Sequence, residues 1–271
     1  MEKIPKKIHY CWFGRGQMPD KAKECITSWK KYCPNYEIVE WNEDNFDINE
    51  NQYVKEAYEN RKYAFVTDYV RLYALYNYGG IYMDTDVEVV KELDHFLIHQ
   101  AFSGFESNYF VPTGIMGAQK NNLWIKDLLD EYQNLSFYKE NGELDLTTNV
   151  IRITKLTTEK YNLNLNGMFQ DLKEVVFYPS DYFCPKSWET GIIKLTENTH
   201  AIHHFSGSWQ TDQVKKENQK RLQMIEKYGE EIGLKKYYHK QKMILIITLP
   251  YRAIRKIYRI SKNKMKIKKK S

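Results

Sequence analysis

The run YAFVTDYVRLYALYNYGGIYMDTDVEV, residues 63–89, decides the fold class. Its first sixteen residues are apolar on nearly every side, which predicts a helix over 63–78 buried on most of its faces. Gly79 is the expected stop, because glycine ends a helix without the strain of a Cβ atom. Within that helix Asp68 and Arg71 stand three apart and share one face in greasy surroundings. The IYMDTDVEVV that follows predicts a strand, on which Asp84 and Asp86 point to one side and Thr85 to the other. Upstream, KIHYCWF (7–13) predicts a first strand. Ala22, Cys25, Ile26 and Trp29 recur at helical spacing over 21–32 until Pro34, and YEIVEW (36–41) alternates into a second strand. Downstream, LDHFL predicts a short helix, followed by strands near 101–106 and 114–118 and a helix over 122–132. The polar stretch 134–170 is helical in part, around TTNVIRITKLTTEK. Strands at 174–179 and 199–205 and a helix over 211–228 complete the pattern. Strand and helix alternate through the first half, so the expectation is an α/β fold with a mixed, mostly parallel sheet flanked by helices.

The chain has 271 residues, of which 15% are aromatic, with 22 Tyr and 6 Trp. That richness suits a protein that stacks on rings, whether bases or sugars. Cys11, Cys25, Cys33 and Cys184 form no C-x-x-C pair, so a reducing compartment is expected and a Cys-rich zinc site is not. The opening MEKIPKKIHYCWFG lacks the apolar core of a signal peptide. The net charge of +6 is unevenly placed. Fourteen of the 41 basic residues follow Glu231 and no acidic residue does, which leaves 27 basic against 35 acidic residues in 1–231. The expected organisation is therefore a catalytic domain over 1–231 and a basic tail over 232–271.

Two carboxylates on one side of a strand end repel each other unless a cation lies between them. Mg²⁺ and Mn²⁺ take oxygen ligands and are commonly held by one or two carboxylates together with substrate phosphates. The pair thus suits an ion that clamps a diphosphate, at the carboxyl end of a strand where open α/β sheets bind ligands. A D-x-D pair by itself is more often a solvated turn. Here the glycine pair, the apolar strand and the buried Asp68 and Arg71 form one linked unit around it. No G-x-x-x-x-G-K or G-x-G-x-x-G is present, which argues against a P-loop or dinucleotide enzyme.

Together with IHYCWFG, SWKKYCPNYEIVEWNEDNFD, GFE, GIMGA and IHHFSGSW, the 63–89 block resembles the DXD-containing sugar transferases of glycosyltransferase family 32. That family includes bacterial capsule and polysaccharide enzymes and the fungal initiating α-1,6-mannosyltransferase. The catalytic domains of the large glucosylating toxins are similar more distantly. The resemblance spans about residues 4–210. It implies a GT-A (Rossmann-like) fold, a nucleotide-sugar donor, Mn²⁺ or Mg²⁺, and retention of anomeric configuration. Residue by residue, it implies that Asp84 contacts the donor and the ion and that Asp86 binds the ion directly. Asp68 and Arg71 hold the sugar hydroxyls and the diphosphate, Tyr82 lines the nucleotide pocket, and Trp12 stacks on the base. His203 or His204 supplies a late metal ligand, and its position five before Trp209 favours His204. Ser208 and Trp209 bond the diphosphate and cover the site. Trp41 reads as a core aromatic, and Glu106 and Asn149 as acceptor contacts.

In the tail, the apolar run Met243 to Leu249 is far shorter than the ~20 residues that span a bilayer. Ile254, Ile257 and Tyr258 then share a helical face ringed by Arg252, Arg255, Lys256 and Arg259, the pattern of an interfacial helix drawn to anionic lipid. The apolar run would be idle on nucleic acid, so residues 240–271 are expected on a membrane surface and no nucleic acid is expected. The leading function is a metal-dependent retaining glycosyltransferase that extends a glycan on a lipid carrier in surface or capsular polysaccharide synthesis. It would act in the cytoplasm, at the inner face of the plasma membrane. The alternatives are a toxin-like transferase acting on protein, a nucleotide-sugar hydrolase, and a non-enzymatic tethering module.

Overall fold

The computed structural model describes residues 3–207 and 210–242. In chain order the elements are β1 (Lys7–Cys11), α1 (Asp20–Tyr32), β2 (Glu37–Trp41), α2 (Gln52–Glu59), α3 (Tyr63–Tyr78), β3 (Gly80–Met83) and β4 (Val87–Val89). A 3₁₀ turn (Asp94–Ile98) leads to β5 (Ala101–Gly104), β6 (Ile115–Ala118), α4 (Leu123–Asp130) and α5 (Asn149–Tyr161). Then come β7 (Gln170–Asp171), β8 (Val176–Tyr178), α6 (Ser180–Phe183), β9 (Ala201–His203) and α7 (Asp212–Tyr228). The chain divides into two compact units, residues 1–188 with 192–209 and residues 189–191 with 210–271. Helix α7, which the sequence places before the expected boundary at 231, therefore belongs to the second unit. In that unit α7 is capped by Thr211, whose side chain accepts from the Val214 N–H, and residues 230–242 are helical. Residues 243–271, which carry most of the expected membrane-binding face, lie outside the described residues. Among those described, no helix is long and apolar enough to cross a membrane.

The first unit is built on a seven-stranded sheet in the order β2-β1-β3-β6-β5-β8-β7. Strands β1, β2, β3, β5 and β8 run one way, while β6 and β7 run against them. The expected mixed, mostly parallel sheet is thus present, with the antiparallel β6 set into its middle. Alternation sorts β3 between two cores. Tyr82 joins the aromatic cluster formed with α2, α3 and α4, and Ile81 and Met83 join the opposite cluster with Trp29, Phe96 and Phe183. Helices cover both faces, as a mainly parallel sheet requires. Trp41 lies in the first cluster, as expected of a core aromatic.

Helix α3 is the central element, and nine of its sixteen residues are buried. It ends at Gly79, which adopts φ 64 and donates to the Leu75 carbonyl at 3.0 Å. A Cβ at Gly79 would stand 2.8 Å from the Lys120 backbone nitrogen, and one at Gly80 would stand 2.8 Å from the Lys7 carbonyl. The glycine pair therefore serves both the left-handed turn and the close approach of that turn to the backbone of Lys7 and Lys120.

His9 pins this turn. Its Nδ1 accepts from the Trp41 indole at 3.2 Å, so Nε2 carries the proton and donates to the Gly79 carbonyl at 2.8 Å. Burial lowers the His9 pKa. A histidine whose folded pKa lies below its ordinary value of about 6.5 takes up protons on unfolding, so its contribution is complete above that pH and is lost as pH falls below it. Urea denaturation at pH 7.5 and 5.5 should show a smaller drop in stability for His9→Gln than for the wild type. Equal drops would remove His9 as the source.

Candidate active site

The parallel strands end together, and the expected site residues gather at that edge. Trp12 follows β1, the aspartates follow β3, Glu106 follows β5, and Gly114 precedes the antiparallel β6, whose Ile115 pairs with Met83. Trp12 is half-buried and its indole donates to the Gly16 carbonyl at 2.7 Å, which fixes the ring at the strand's carboxyl end.

The D-x-D pair does not lie on one extended strand. The chain leaves the large sheet after Met83 and turns through residues 84–87, closed by the Val87 N–H donating to the Asp84 carbonyl at 3.0 Å. It then enters the two-stranded sheet β4–β9, with Val87 opposite His203. The expected single strand breaks because β4 needs its own partner, and β9 returns from more than a hundred residues later to provide it. That return brings a histidine to the aspartates. Asp84, Asp86 and His203 each offer one ligand atom, all within 4.8 Å of one another.

His203, rather than His204, is the residue beside the pair. His203 ends β9 and His204 follows it, and successive residues of extended chain face opposite ways. His203 Nε2 lies 3.4 Å from Asp86 Oδ1, while His204 Nε2 bonds Glu88 at 2.8 Å. Counting back from Trp209 could not resolve this one-residue alternation. Ser208 and Trp209, the expected lid, lie outside the described residues. Ser206 just before them donates its backbone N–H to Asp86 Oδ2 at 2.6 Å.

Arg71 holds Asp84. Its Nη2 is 3.0 Å from Asp84 Oδ1 and 3.5 Å from Asp68 Oδ1, and the guanidinium sits 4.5 Å above the Tyr82 ring. The expected pocket-lining role of Tyr82 gives way to a supporting one. The ring is 2% exposed and its hydroxyl donates to Asp84 Oδ1 at 3.1 Å. Asp68 is buried as well, and it is tied to the backbone N–H of Asn149 at the start of α5. Asp68 and Arg71 are therefore positioned to fix Asp84 and α5, while the diphosphate contact expected of Arg71 meets a guanidinium that two carboxylates already occupy.

The electrostatics follow from this packing. Burial pushes the Asp68 carboxyl up to about 7, against the pull of Arg71. Burial opposes ionisation of Asp86 too, but His203 and the Ser206 N–H hold it well below the usual carboxylate range. Burial likewise disfavours a charged His203, yet Asp86 raises its pKa well above the ordinary value. Glu106 lies across the ring, with Oε2 3.9 Å from His203 Nδ1, and burial raises its pKa. Among the described residues, His203 Nδ1 is buried without a hydrogen-bond partner.

Gly114 was not singled out in the sequence, where GIMGA is only a pair of glycines in an apolar run. A Cβ there would meet Val87 Cγ2 at 2.8 Å and stand 3.2 Å from both Asp84 Oδ2 and His203 Cδ2. Gly114→Ala should therefore push the ligand atoms apart and weaken Mn²⁺ binding at least about tenfold, the scale on which supporting residues act at metal sites. Unchanged affinity by titration calorimetry would show that the site yields without cost.

Residues 19–103 match the family described as the glycosyltransferase sugar-binding region containing a DXD motif. Over those residues the chain is similar to DXD-containing glycosyltransferases. Among curated relatives of this chain is inositol phosphoceramide mannosyltransferase 3 of Schizosaccharomyces pombe, 29% identical over 142 residues, covering 49% of this chain and 38% of that protein. Mannosyl phosphorylinositol ceramide synthase SUR1 of Saccharomyces cerevisiae is 29% identical over 119 residues, covering 42% and 31%. The chain thus spans well under half the length of these relatives. Among solved structures, the PaToxG glycosyltransferase aligns over 59% of this chain and 70% of its own, at 22% identity and a TM-score of 0.45. The match ends at residue 103. His203, Glu106 and Gly114 are therefore joined to the DXD region by the fold of this chain and not by the match.

The donor set fits a divalent ion. Two carboxylates and one imidazole, within reach of one another, offer the mixed oxygen and nitrogen ligation that Mn²⁺ accepts more readily than Mg²⁺.

Proposed function

We propose that this protein is a metal-dependent retaining glycosyltransferase. It takes a sugar from a UDP- or GDP-sugar and passes it to a glycan acceptor carried on a lipid. The observation that carries the reading is the convergence of His203 on Asp84 and Asp86 at the carboxyl edge of the sheet, the two aspartates lying in the matched DXD sugar-binding region. Asp84, Asp86 and His203 would hold Mn²⁺ or Mg²⁺, which neutralises charge on a departing diphosphate. The protein's own part is mainly positioning. Arg71 and Tyr82 fix one oxygen of Asp84, and the Ser206 N–H fixes one oxygen of Asp86, so these two ligands are held in place when charge develops. In a front-face transfer the bond from the anomeric carbon to the diphosphate oxygen breaks. The acceptor oxygen bonds to the same face of that carbon, and the acceptor proton leaves with the diphosphate.

Two observations support a lipid-borne acceptor. The yeast relatives are named for inositol phosphoceramide and its mannosyl product. In this chain, an exposed groove of about 450 Å³ is lined by Tyr109, Phe110, Ile151 and Leu165. It adjoins the site through Glu106, whose N–H donates to the Phe110 carbonyl at 2.9 Å. An apolar surface of this kind beside a sugar site suits the hydrocarbon of the acceptor. The basic residues of 240–271 would bring the protein to anionic lipid at the inner face of the plasma membrane, where surface-glycan precursors are extended.

The test is a panel of UDP- and GDP-sugars with and without Mn²⁺, read by release of nucleoside diphosphate. Turnover of one donor, dependent on the ion, is expected. No turnover and no binding of any donor would reject the enzyme. Sedimentation with anionic vesicles should fall on deletion of residues 240–271, and unchanged pelleting would reject the membrane role.

A further inference from the structure

The departing diphosphate needs a cation from the protein, and the one expected is already engaged. Arg71 is buried between Asp84 and Asp68 and stacked on Tyr82. Turning it to a phosphate would leave the buried Asp68 and the half-buried Asp84 without their cation, a costly arrangement. The other nearby cations are compared by their partners. Lys21 lies 3.6 Å from Glu88 and 3.7 Å from Glu24, and His203 faces Asp86.

Lys186 differs. Its Nζ donates to the His204 carbonyl at 2.8 Å, and among the described residues no carboxylate lies within ion-pair distance of it. An ammonium has three N–H donors, so two remain for a ligand. The carbonyl it holds belongs to the segment that wraps Asp86. The His204 N–H donates to the Asp86 carbonyl at 3.0 Å, and Ser206 caps the Asp86 carboxylate. Lys186 also follows Cys184 by two residues, and the Cys184 thiol neighbours the His203 ring. Lys186 is half-buried; burial lowers its pKa, and Asp86 is the main charge that opposes that shift.

We infer that Lys186, and not Arg71, is the protein's cation for the diphosphate of the donor and of the nucleoside diphosphate released. The inference rests on the nucleotide-sugar reading above. A nucleoside diphosphate gains negative charge as its bond to the sugar breaks, so a cation fixed here favours the departing state over the bound donor. Lys186 lies outside the matched 19–103 region, on a loop that only the fold of this chain brings to Asp86.

The experiment is calorimetric titration of the full-length protein with UDP and GDP in Mn²⁺, and with uridine and guanosine on the same samples. Lys186→Gln should weaken the preferred diphosphate at least about tenfold, the usual scale for a hydrogen bond to a charged group. Nucleoside affinity should stay within about twofold, and Lys186→Arg should recover most of the loss because the charge is kept. Lys186→Met is the second variant if the glutamine disturbs the segment by circular dichroism. Diphosphate affinity within twofold of the wild type in a folded Lys186→Gln or Lys186→Met overturns the inference and leaves the donor reading standing. Failure of the wild type to bind either diphosphate overturns the donor reading, and this inference with it.

Discussion

Arg71→Ala should lower the melting temperature by about 10 °C, the consequence of leaving the buried Asp68 and the half-buried Asp84 without their cation at a cost of about 3–5 kcal/mol. The Arg71 and Asp68 side chains are only 6% and 8% exposed, so solvent cannot take over the role of the guanidinium. Even with Arg71 in place, burial pushes Asp68 up to about 7, and loss of Arg71 removes the main force that opposes this. The second carboxylate, Asp84, is held by Tyr82 as well, so it should stay near its place with its charge less well matched. Adding Asp68→Asn to Arg71→Ala should restore part of the loss, since one uncompensated charge is then gone. Arg71→Lys should fall between, because an ammonium cannot bridge both carboxylates and stack on Tyr82 as a planar guanidinium does. Thermal melts followed by circular dichroism decide this. A shift below 2 °C for Arg71→Ala would mean that the network carries little of the fold's stability.

Asp86→Asn should reduce donor turnover at least about a thousandfold while leaving most of the stability in place. The amide keeps the shape and can still accept from the Ser206 N–H, but it removes the charge that an ion and His203 require. A loss of three decades corresponds to about 4 kcal/mol of transition-state stabilisation, the scale expected of a Lewis-acid ion on a leaving group. His204→Ala is the internal control. His204 bonds Glu88, so its loss should leave turnover within about threefold, a difference of under 1 kcal/mol. Turnover of Asp86→Asn close to wild type would place the chemistry elsewhere in the molecule.

Much of the fold was legible because its central helix is unambiguous. Residues 63–78 are too apolar to be anything but buried, and the expected helix matches α3 residue for residue, with Gly79 as its stop. The β-α-β opening was equally clear, since period-two and period-3.6 patterns alternate cleanly through β1, α1 and β2. Helix α2 went unread because its buried face is only Tyr53, Val54 and Ala57 among polar residues. The two-residue β7 is too short to carry any periodicity. Within the site, chemistry identified the aspartates, and local pattern did not give their conformation. IYMDTDVEVV looks like one strand because apolar residues flank the acids, and only the late partner β9 explains why the chain turns at 84–87. The choice between His203 and His204 stays open in the sequence for the same reason. Which neighbour on a strand faces inward depends on register with β4, and register is a tertiary property. Gly114 and Lys186 were missed because each matters only through what the fold sets against it.

The central claim is that Asp84, Asp86 and His203 together grip one divalent ion. Electron paramagnetic resonance of Mn²⁺ titrated into the wild-type protein with GDP or UDP tests it most directly. One tightly bound ion is expected in the wild type and in His204→Ala, and a loss of at least about tenfold in affinity in His203→Ala and Asp86→Asn. Tight binding that survives in His203→Ala and Asp86→Asn, or that disappears in His204→Ala instead, would contradict the site described.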